Sequence, residues 1–293
     1  MNLPLLFSQL INGLQTGSIY ALVALGYSMV YGIILLLNFA HGEVIMVGAF
    51  ALFYGLTLYG LHPLLASVLA VLASTVMGLL IQRIAYRPLL SAPRLSLLIT
   101  AIGMSFLLQN GAQIAFGADA KSVDPLISGS LHIGSTNISY AALLTLAVSL
   151  ISMLALTLLV SRTKHGKAMR AVSEDMGVAQ LMGINVNRTI GFTFAVGSAL
   201  AGIGAVLYVA SYPQISPTMG SMMGLKAFVA AVLGGIGSIP GAMIGGLVIG
   251  MVEVLASAVG LSNWKDAVVF AILILVLLFK PSGIMGVTQR EKV

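Results

Sequence analysis

Pro63-Leu64-Leu65-Ala66-Ser67-Val68-Leu69-Ala70-Val71-Leu72-Ala73-Ser74-Thr75-Val76-Met77-Gly78-Leu79-Leu80-Ile81-Gln82 runs for twenty residues without a charged side chain, and Arg83 and Arg87 follow it. A helix rises about 1.5 Å per residue, so about 20 apolar residues cross the roughly 30 Å of hydrocarbon in a bilayer. Working outward, similar stretches cover 8–36, 43–61, 95–116, 139–161, 189–212, 240–262 and 266–280. A shorter apolar piece at 225–236 precedes a Gly-rich turn and reads as a half-helix or re-entrant segment. Non-helical backbone at that depth is tolerated only where protein or a water-filled cavity satisfies it. The expected fold is all-α: a polytopic transmembrane helical bundle of eight to nine spans with broken or re-entrant segments, forming one membrane domain over residues 1–293.

Composition agrees. The 293 residues are 59% hydrophobic and 8% charged, too few charges to cover a water-soluble globule. Aromatics are only 7%, so the apolar excess is aliphatic, and the 33 glycines suit close helix packing in lipid. A net charge of +6 raises nucleic acid as a partner, but Lys and Arg of membrane proteins gather in cytoplasmic loops, so none is expected. There is no Cys, which excludes disulfides and thiolate chemistry. The four His are scattered without metal-ligand spacing, so no metal site is expected. The first apolar stretch lacks the charged start and cleavage site of a removable signal and reads as a retained span.

Charge sets the orientation. Arg83, Arg87 and Arg94 form one cluster, Arg162, Lys164, Lys167, Arg170 and Arg188 a second, and Lys280, Arg290 and Lys292 a third. Pairs of spans separate the first two, so both fit one side, the cytoplasmic one. The segments 117–138 and 213–224 and the Trp264-Lys265-Asp266 junction then face outward. Counting back from Arg83 puts the N-terminus outside, provided 8–36 crosses once.

Three segments carry candidate chemistry. In Leu37-Asn38-Phe39-Ala40-His41-Gly42-Glu43, hydrogen-bonding side chains sit between apolar runs. An ionisable residue at membrane depth is costly and points to function. Asn38 suits a helix cap, and the helix start beyond it suits a substrate carboxylate or Glu43 itself. The plainer reading is a cytoplasmic turn with His41 solvated. The second segment is Gly234-Gly235-Ile236-Gly237-Ser238-Ile239-Pro240-Gly241, whose Gly234, Gly235, Gly237 and Pro240 fit a backbone break lining a pathway. Gly241, Gly245, Gly246 and Gly250 are spaced for tight helix packing. No Lys-Ser or Lys-Thr follows these glycines, so the turn is not a nucleotide-binding P-loop. Paired polar breaks around Asn38–Gly48 and Gly234–Gly250 suggest related halves.

The third segment is the stretch 164–183, within the expected cytoplasmic loop 162–188. Ala168, Ala171, Val172, Met176, Ala179 and Met182 recur at helical spacing, and Gly183 is placed to end the helix. Arg170, Glu174 and Asp175 are its polar residues. Such a helix either lies in the lipid interface or docks in a groove of a soluble partner. Glu253, inside an apolar span, either lines the pathway or pairs with a polar group on a neighbouring helix.

Asn38-Phe39-Ala40-His41-Gly42-Glu43, Ala101-Ile102-Gly103-Met104-Ser105, Leu181-Met182-Gly183-Ile184-Asn185 and Leu233–Ala242 resemble the LivH-type permeases of bacterial branched-chain amino acid ABC importers. The resemblance extends from about Asn12 to Val293. It implies a multi-pass inner-membrane subunit that works with a second, homologous permease, two cytoplasmic ATPases and a periplasmic binding protein for leucine, isoleucine or valine. It implies no cofactor in this chain and no enzyme activity, since ATP and magnesium belong to the ATPases. The stretch Arg170–Gly183 would be the coupling helix seated in an ATPase groove, with Arg170, Glu174, Asp175 and Gly183 as its contacts. Asn38, His41, Glu43, Gly234, Gly235, Gly237 and Pro240 are the candidates for the substrate pathway. Two other readings stand beside this one. One is a permease for urea or short amides. The other is a self-sufficient secondary transporter using Glu43 and Glu253 as ion sites.

Overall fold

The computed structural model describes residues 3–34, 37–90, 92–133 and 136–286. Arg290 and Lys292 of the third basic cluster lie outside the described residues. The helices are α1 (Leu3–Ile34), α2 (His41–Thr57), α3 (Pro63–Ile81), α4 (Arg94–Phe116), α5 (Tyr140–Arg162), α6 (Lys164–Glu174), α7 (Met176–Leu181), α8 (Val186–Ser211), α9 (Met219–Gly234), α10 (Ile239–Ala258) and α11 (Lys265–Phe279). Among the described residues, seven spans are long and apolar enough to cross a membrane, while α2 and α9, with 17 and 16 residues, are apolar but shorter. The expected all-α polytopic bundle is therefore found, with two short helices among the long ones.

Local chemistry explains many of the boundaries. His62 caps α3, accepting a bond from the Leu64 N–H, and Pro63 opens the helix. Ser139, Asn185 and Ser238 cap α5, α8 and α10 through side-chain oxygens. Beyond α3 the chain winds on through a π turn at Gln82–Tyr86 and a 3₁₀ turn at Arg87–Leu89 before α4. Four short strands were not expected. β1 (Lys121–Ser122) pairs antiparallel with β4 (Gln214–Ile215), and β2 (Ser130–Ile133) with β3 (Thr136–Ser139). The first pair ties together the two outward segments of the sequence reading.

The long α1 is the central post: 89% of its apolar window is buried, against 6% for the last span. It crosses once, antiparallel to α10. A Cβ at Gly246 would press on Ala21, and one at Gly250 on Gly17. The spaced glycines of α10 thus serve close helix packing. On α3, a Cβ at Gly78 would meet Ser198 of α8, and on α8 one at Gly202 would meet Ser74 of α3, again antiparallel. These pairings bring the α3–α4 link, the α5–α8 segment and the C-terminal end of α11 to one side, the side of the basic clusters of the sequence reading, while Lys121, Lys226 and Lys265 lie away from it. The start of α1 lies on the other.

Two boundaries correct the sequence reading. The segment 213–224 is not wholly an outer loop, because α9 begins at Met219. The cytoplasmic stretch is not one helix. Asp175 adopts extended backbone (φ −160°, ψ 116°) between α6 and α7 and caps α7, its carboxylate accepting from the Val178 N–H at 2.9 Å. Apolar periodicity runs through this break, so spacing alone hides it.

Candidate functional site

The two short helices meet at their N-termini. His41 packs edge-on to Tyr27 of α1, with ring centroids 4.7 Å apart, and touches Gly26. Gly26 precedes the end of α1 by eight residues, so α2 starts about 12 Å in from that end, alongside the apolar length of α1. Gly42, on the next residue of α2, lies against Gly220 and Gly224 of α9. A Cβ at Gly220 would stand 2.6 Å from both the Glu43 Oε2 and the Gly42 carbonyl oxygen, and one at Gly224 only 2.7 Å from the Gly42 Cα. Only glycine permits backbones this close.

Glu43 occupies the seam. It is 0% exposed, and its Oε1 accepts from the Ser221 hydroxyl of α9 at 3.0 Å and the Ser105 hydroxyl of α4 at 3.1 Å. Its Oε2 has no hydrogen-bond partner among the described residues. Each helix N-terminus carries about half a positive charge, so two of them offset roughly one carboxylate. Glu43 and Ser221 hold the same place in the first turns of α2 and α9. The half-helix counterpart of the Asn38–Glu43 region is thus the start of α9, and not Gly234–Gly250 as the sequence suggests.

Asn38 and His41 are buried beside this seam. The expected Asn38 cap is not formed. Ala40 takes the cap position with no side-chain bond, and Asn38 Oδ1 instead accepts from the Tyr86 hydroxyl at 3.3 Å. The same O–H is shared with the Leu37 carbonyl at 3.0 Å, tying this segment to the π turn beyond α3. His41 is not solvated, being 1% exposed.

Gly234, Gly235, Gly237 and Pro240 lie elsewhere. They form the turn between α9 and α10, at the same end of the bundle as the end of α1. Gly235 takes φ +104°, and the chain beyond α11 packs on it, with the Ile284 N–H donating to the Leu233 carbonyl (2.8 Å) and the Met285 N–H to the Gly234 carbonyl (2.9 Å). Pro240 opens α10 behind the Ser238 cap. Gly237 approaches Gly32 of α1, six residues beyond Gly26. The structure therefore brings Asn38, His41 and Glu43 together and places the Gly-rich turn about 9 Å further along α1.

On α6 and α7, Arg170, Glu174, Asp175 and Gly183 are all exposed, and Gly183 turns the chain with φ +81°. Val178 (56% exposed), Leu181 (88%) and Met182 (78%) also stand in the open. Met182 is therefore not on the buried stripe, which consists of Met169, Val172 and Ala179. A bare apolar cluster beside exposed charges suits a lipid interface or a partner's groove.

One cluster is missing from the sequence reading. Lys226 of α9 is buried and pairs with Glu253 of α10 (2.8 Å) and Asp266 of α11 (2.7 Å). Glu253 also takes Lys265 at 3.0 Å and the Tyr20 hydroxyl at 2.7 Å. Glu253 thus pairs between helices. A lysine within a 16-residue apolar helix is itself the signal that a carboxylate must face it.

A family model, that of the permease component of branched-chain amino acid transport systems, matches residues 9–277. The chain belongs to this family. The permease is 46% identical to the high-affinity branched-chain amino acid transport system permease protein BraD of Pseudomonas aeruginosa, over 97% of both chains. It is 45% identical, with the same coverage, to the corresponding protein LivH of Escherichia coli. A probable branched-chain amino acid permease of Methanocaldococcus jannaschii is 32% identical over 94% of this chain and 90% of its own. The permease is a multi-pass membrane protein and a transport component.

Proposed function

We infer that the permease is the membrane subunit of an ATP-driven importer for leucine, isoleucine and valine in a bacterial inner membrane. The observation that carries this reading is the near full-length identity to permeases of that name. It works with a second, homologous permease, two cytoplasmic ATPases that bind ATP and magnesium, and a periplasmic binding protein. The exposed Val178, Leu181 and Met182, ringed by Arg170, Glu174 and Asp175, supply the apolar knob that an ATPase groove would accept. The outer β1–β4 pair and its loops offer a surface to the binding protein.

In this mechanism α2 and α9 act as the moving parts. Each is half-length, and they meet at one seam closed by Glu43. Rigid-body motion transmitted from α6 and α7 through the α9–α10 turn parts the seam and lets a zwitterion with an apolar side chain pass. Asn38, His41 and Glu43 are the polar groups it would meet first, and the Gly237 backbone the last. Tight binding at these sites would slow release, which assigns most of the selectivity to the binding protein.

The test is reconstitution. The permease with its partner permease and ATPases, in proteoliposomes supplied with ATP and the binding protein, should take up labelled leucine and not urea or acetamide. Uptake of leucine by the permease alone, without ATPases, would make it a secondary transporter and sink this reading.

A further inference from the structure

At the cytoplasmic end, the inner part of α1, the end of α5, helix α6 and the α9–α10 turn enclose a cleft of about 220 Å³. Three polar side chains line it, Ser28, Arg170 and Ser173, and the Ser173 hydroxyl donates to the Arg170 carbonyl. Ser28 of α1 is 0% exposed, and its hydroxyl has no hydrogen-bond partner among the described residues. A hydroxyl in a helix normally finds a carbonyl or a ligand. Arg170 of α6 donates one N–H to the Val160 carbonyl. A guanidinium has five N–H donors, so others remain free to meet an anion. The remaining wall is mainly aliphatic and thioether: Met29, Ile33, Met169 and Ile239. One cationic fork, one unpartnered hydroxyl and branched apolar walls match a compact aliphatic carboxylate.

We propose that this cleft is a second site, which binds a branched aliphatic carboxylate from the cytoplasm and brakes the pump. Either the imported amino acid or the 2-oxo acid of the same skeleton has the required chemistry. The braking follows from the walls. Ser28 and Ile33 belong to α1, Met169 and Arg170 to α6, and Ile239 to α10. A ligand bridging them fastens α6 to the central post, so α6 cannot follow the ATPases until the cleft empties. A ligand can shift such an equilibrium only by its differential affinity for the two arrangements. The inference rests on the reading of α6 and α7 as the ATPase-docking element.

The experiment uses the whole transporter in nanodiscs. Equilibrium binding of labelled leucine and of labelled 4-methyl-2-oxopentanoate is measured without the binding protein. ATP hydrolysis is then measured with the binding protein saturated, while either compound is raised to about 10 mM, a range that captures weak sites. The expected result is saturable binding of at least one compound and a fall in hydrolysis of about threefold or more. Ser28→Ala should weaken binding by about 2- to 10-fold, the loss of one hydrogen bond. Ile33→Trp, which fills the cleft, should abolish both binding and the ratio of free to inhibited hydrolysis. No binding by about 10 mM, or binding that both variants leave unchanged, overturns the proposal. If Ile33→Trp does not assemble, the Ser28→Ala binding shift decides. A transporter whose hydrolysis ignores the leucine-loaded binding protein fails the functional reading, and the binding arm still tests the cleft.

Discussion

Gly220→Ala tests the seam directly. The added Cβ would stand 2.6 Å from the Glu43 Oε2 and 2.6 Å from the Gly42 carbonyl oxygen, where ordinary contact begins near 3.4 Å. The helix starts must therefore separate by about 0.8 Å, the difference of those two distances. Overpacking of this kind costs about 1–3 kcal/mol. Alanine returns up to about 1 kcal/mol in helix propensity, so the net loss is up to about 2 kcal/mol. Gly191→Ala is the control, since its Cβ would meet only Gln82 Oε1 at 3.8 Å. Unfolding of the purified permease by SDS titration should show the loss for Gly220→Ala and none for the control. Leucine uptake should change as well. A strain of 1.4 kcal/mol on one arrangement of the seam moves the balance between two arrangements about tenfold. If Gly220→Ala matches Gly191→Ala in both stability and uptake, the close approach of α2 and α9 is not a feature of the working protein.

Three other outcomes follow from the same geometry. Lys226→Met leaves buried Glu253 with only Lys265 and Tyr20, and should destabilise by about 3 kcal/mol in the SDS titration, with partial recovery in Lys226→Met/Glu253→Gln; equal stability of single and double variants would refute the pairing. Glu43→Gln keeps partners for Ser105 and Ser221 but removes the charge facing two helix starts, each worth about 0.3–1 kcal/mol. Uptake should fall while the ATPases still co-purify, and wild-type uptake would reduce the seam to an ordinary turn. Asp175→Ala removes the α7 cap, at about 0.5–2 kcal/mol, and should uncouple ATP hydrolysis from uptake at an unchanged membrane level; coupled transport in that variant would exclude α7 as the docking element.

The long spans were legible because each is a run of apolar residues bounded by charge or by a cap, and both signals are local. What escaped was set by partners far along the chain. Asn38 has the chemistry of a cap, but Tyr86, 48 residues on, claims its oxygen. Ser105 and Ser221 are unremarkable in sequence and matter only because Glu43 lies between them. Lys226 and Glu253 each signal a missing counter-charge, and reading them together would have found the ion cluster. The short helices defeat length-based spans, since α2 and α9 have only 17 and 16 residues. The break at Asp175 falls where apolar periodicity continues, so only the capping geometry reveals it. The pairing of the halves followed the glycine-rich turn when the matching element was the start of α9.

The seam at Glu43 also bears on how the chain is made. Ser221, which satisfies Glu43, is 178 residues further on. At about 5–20 residues per second, roughly 10–40 s separate the synthesis of the two. Throughout that interval α2 carries a carboxylate at membrane depth with half its support missing. The early helices must wait beside the insertion machinery, loosely held, until the late half arrives. The protein is thus completed as one unit at the end of translation, not span by span, and truncation before α9 should leave a product for membrane quality control to remove.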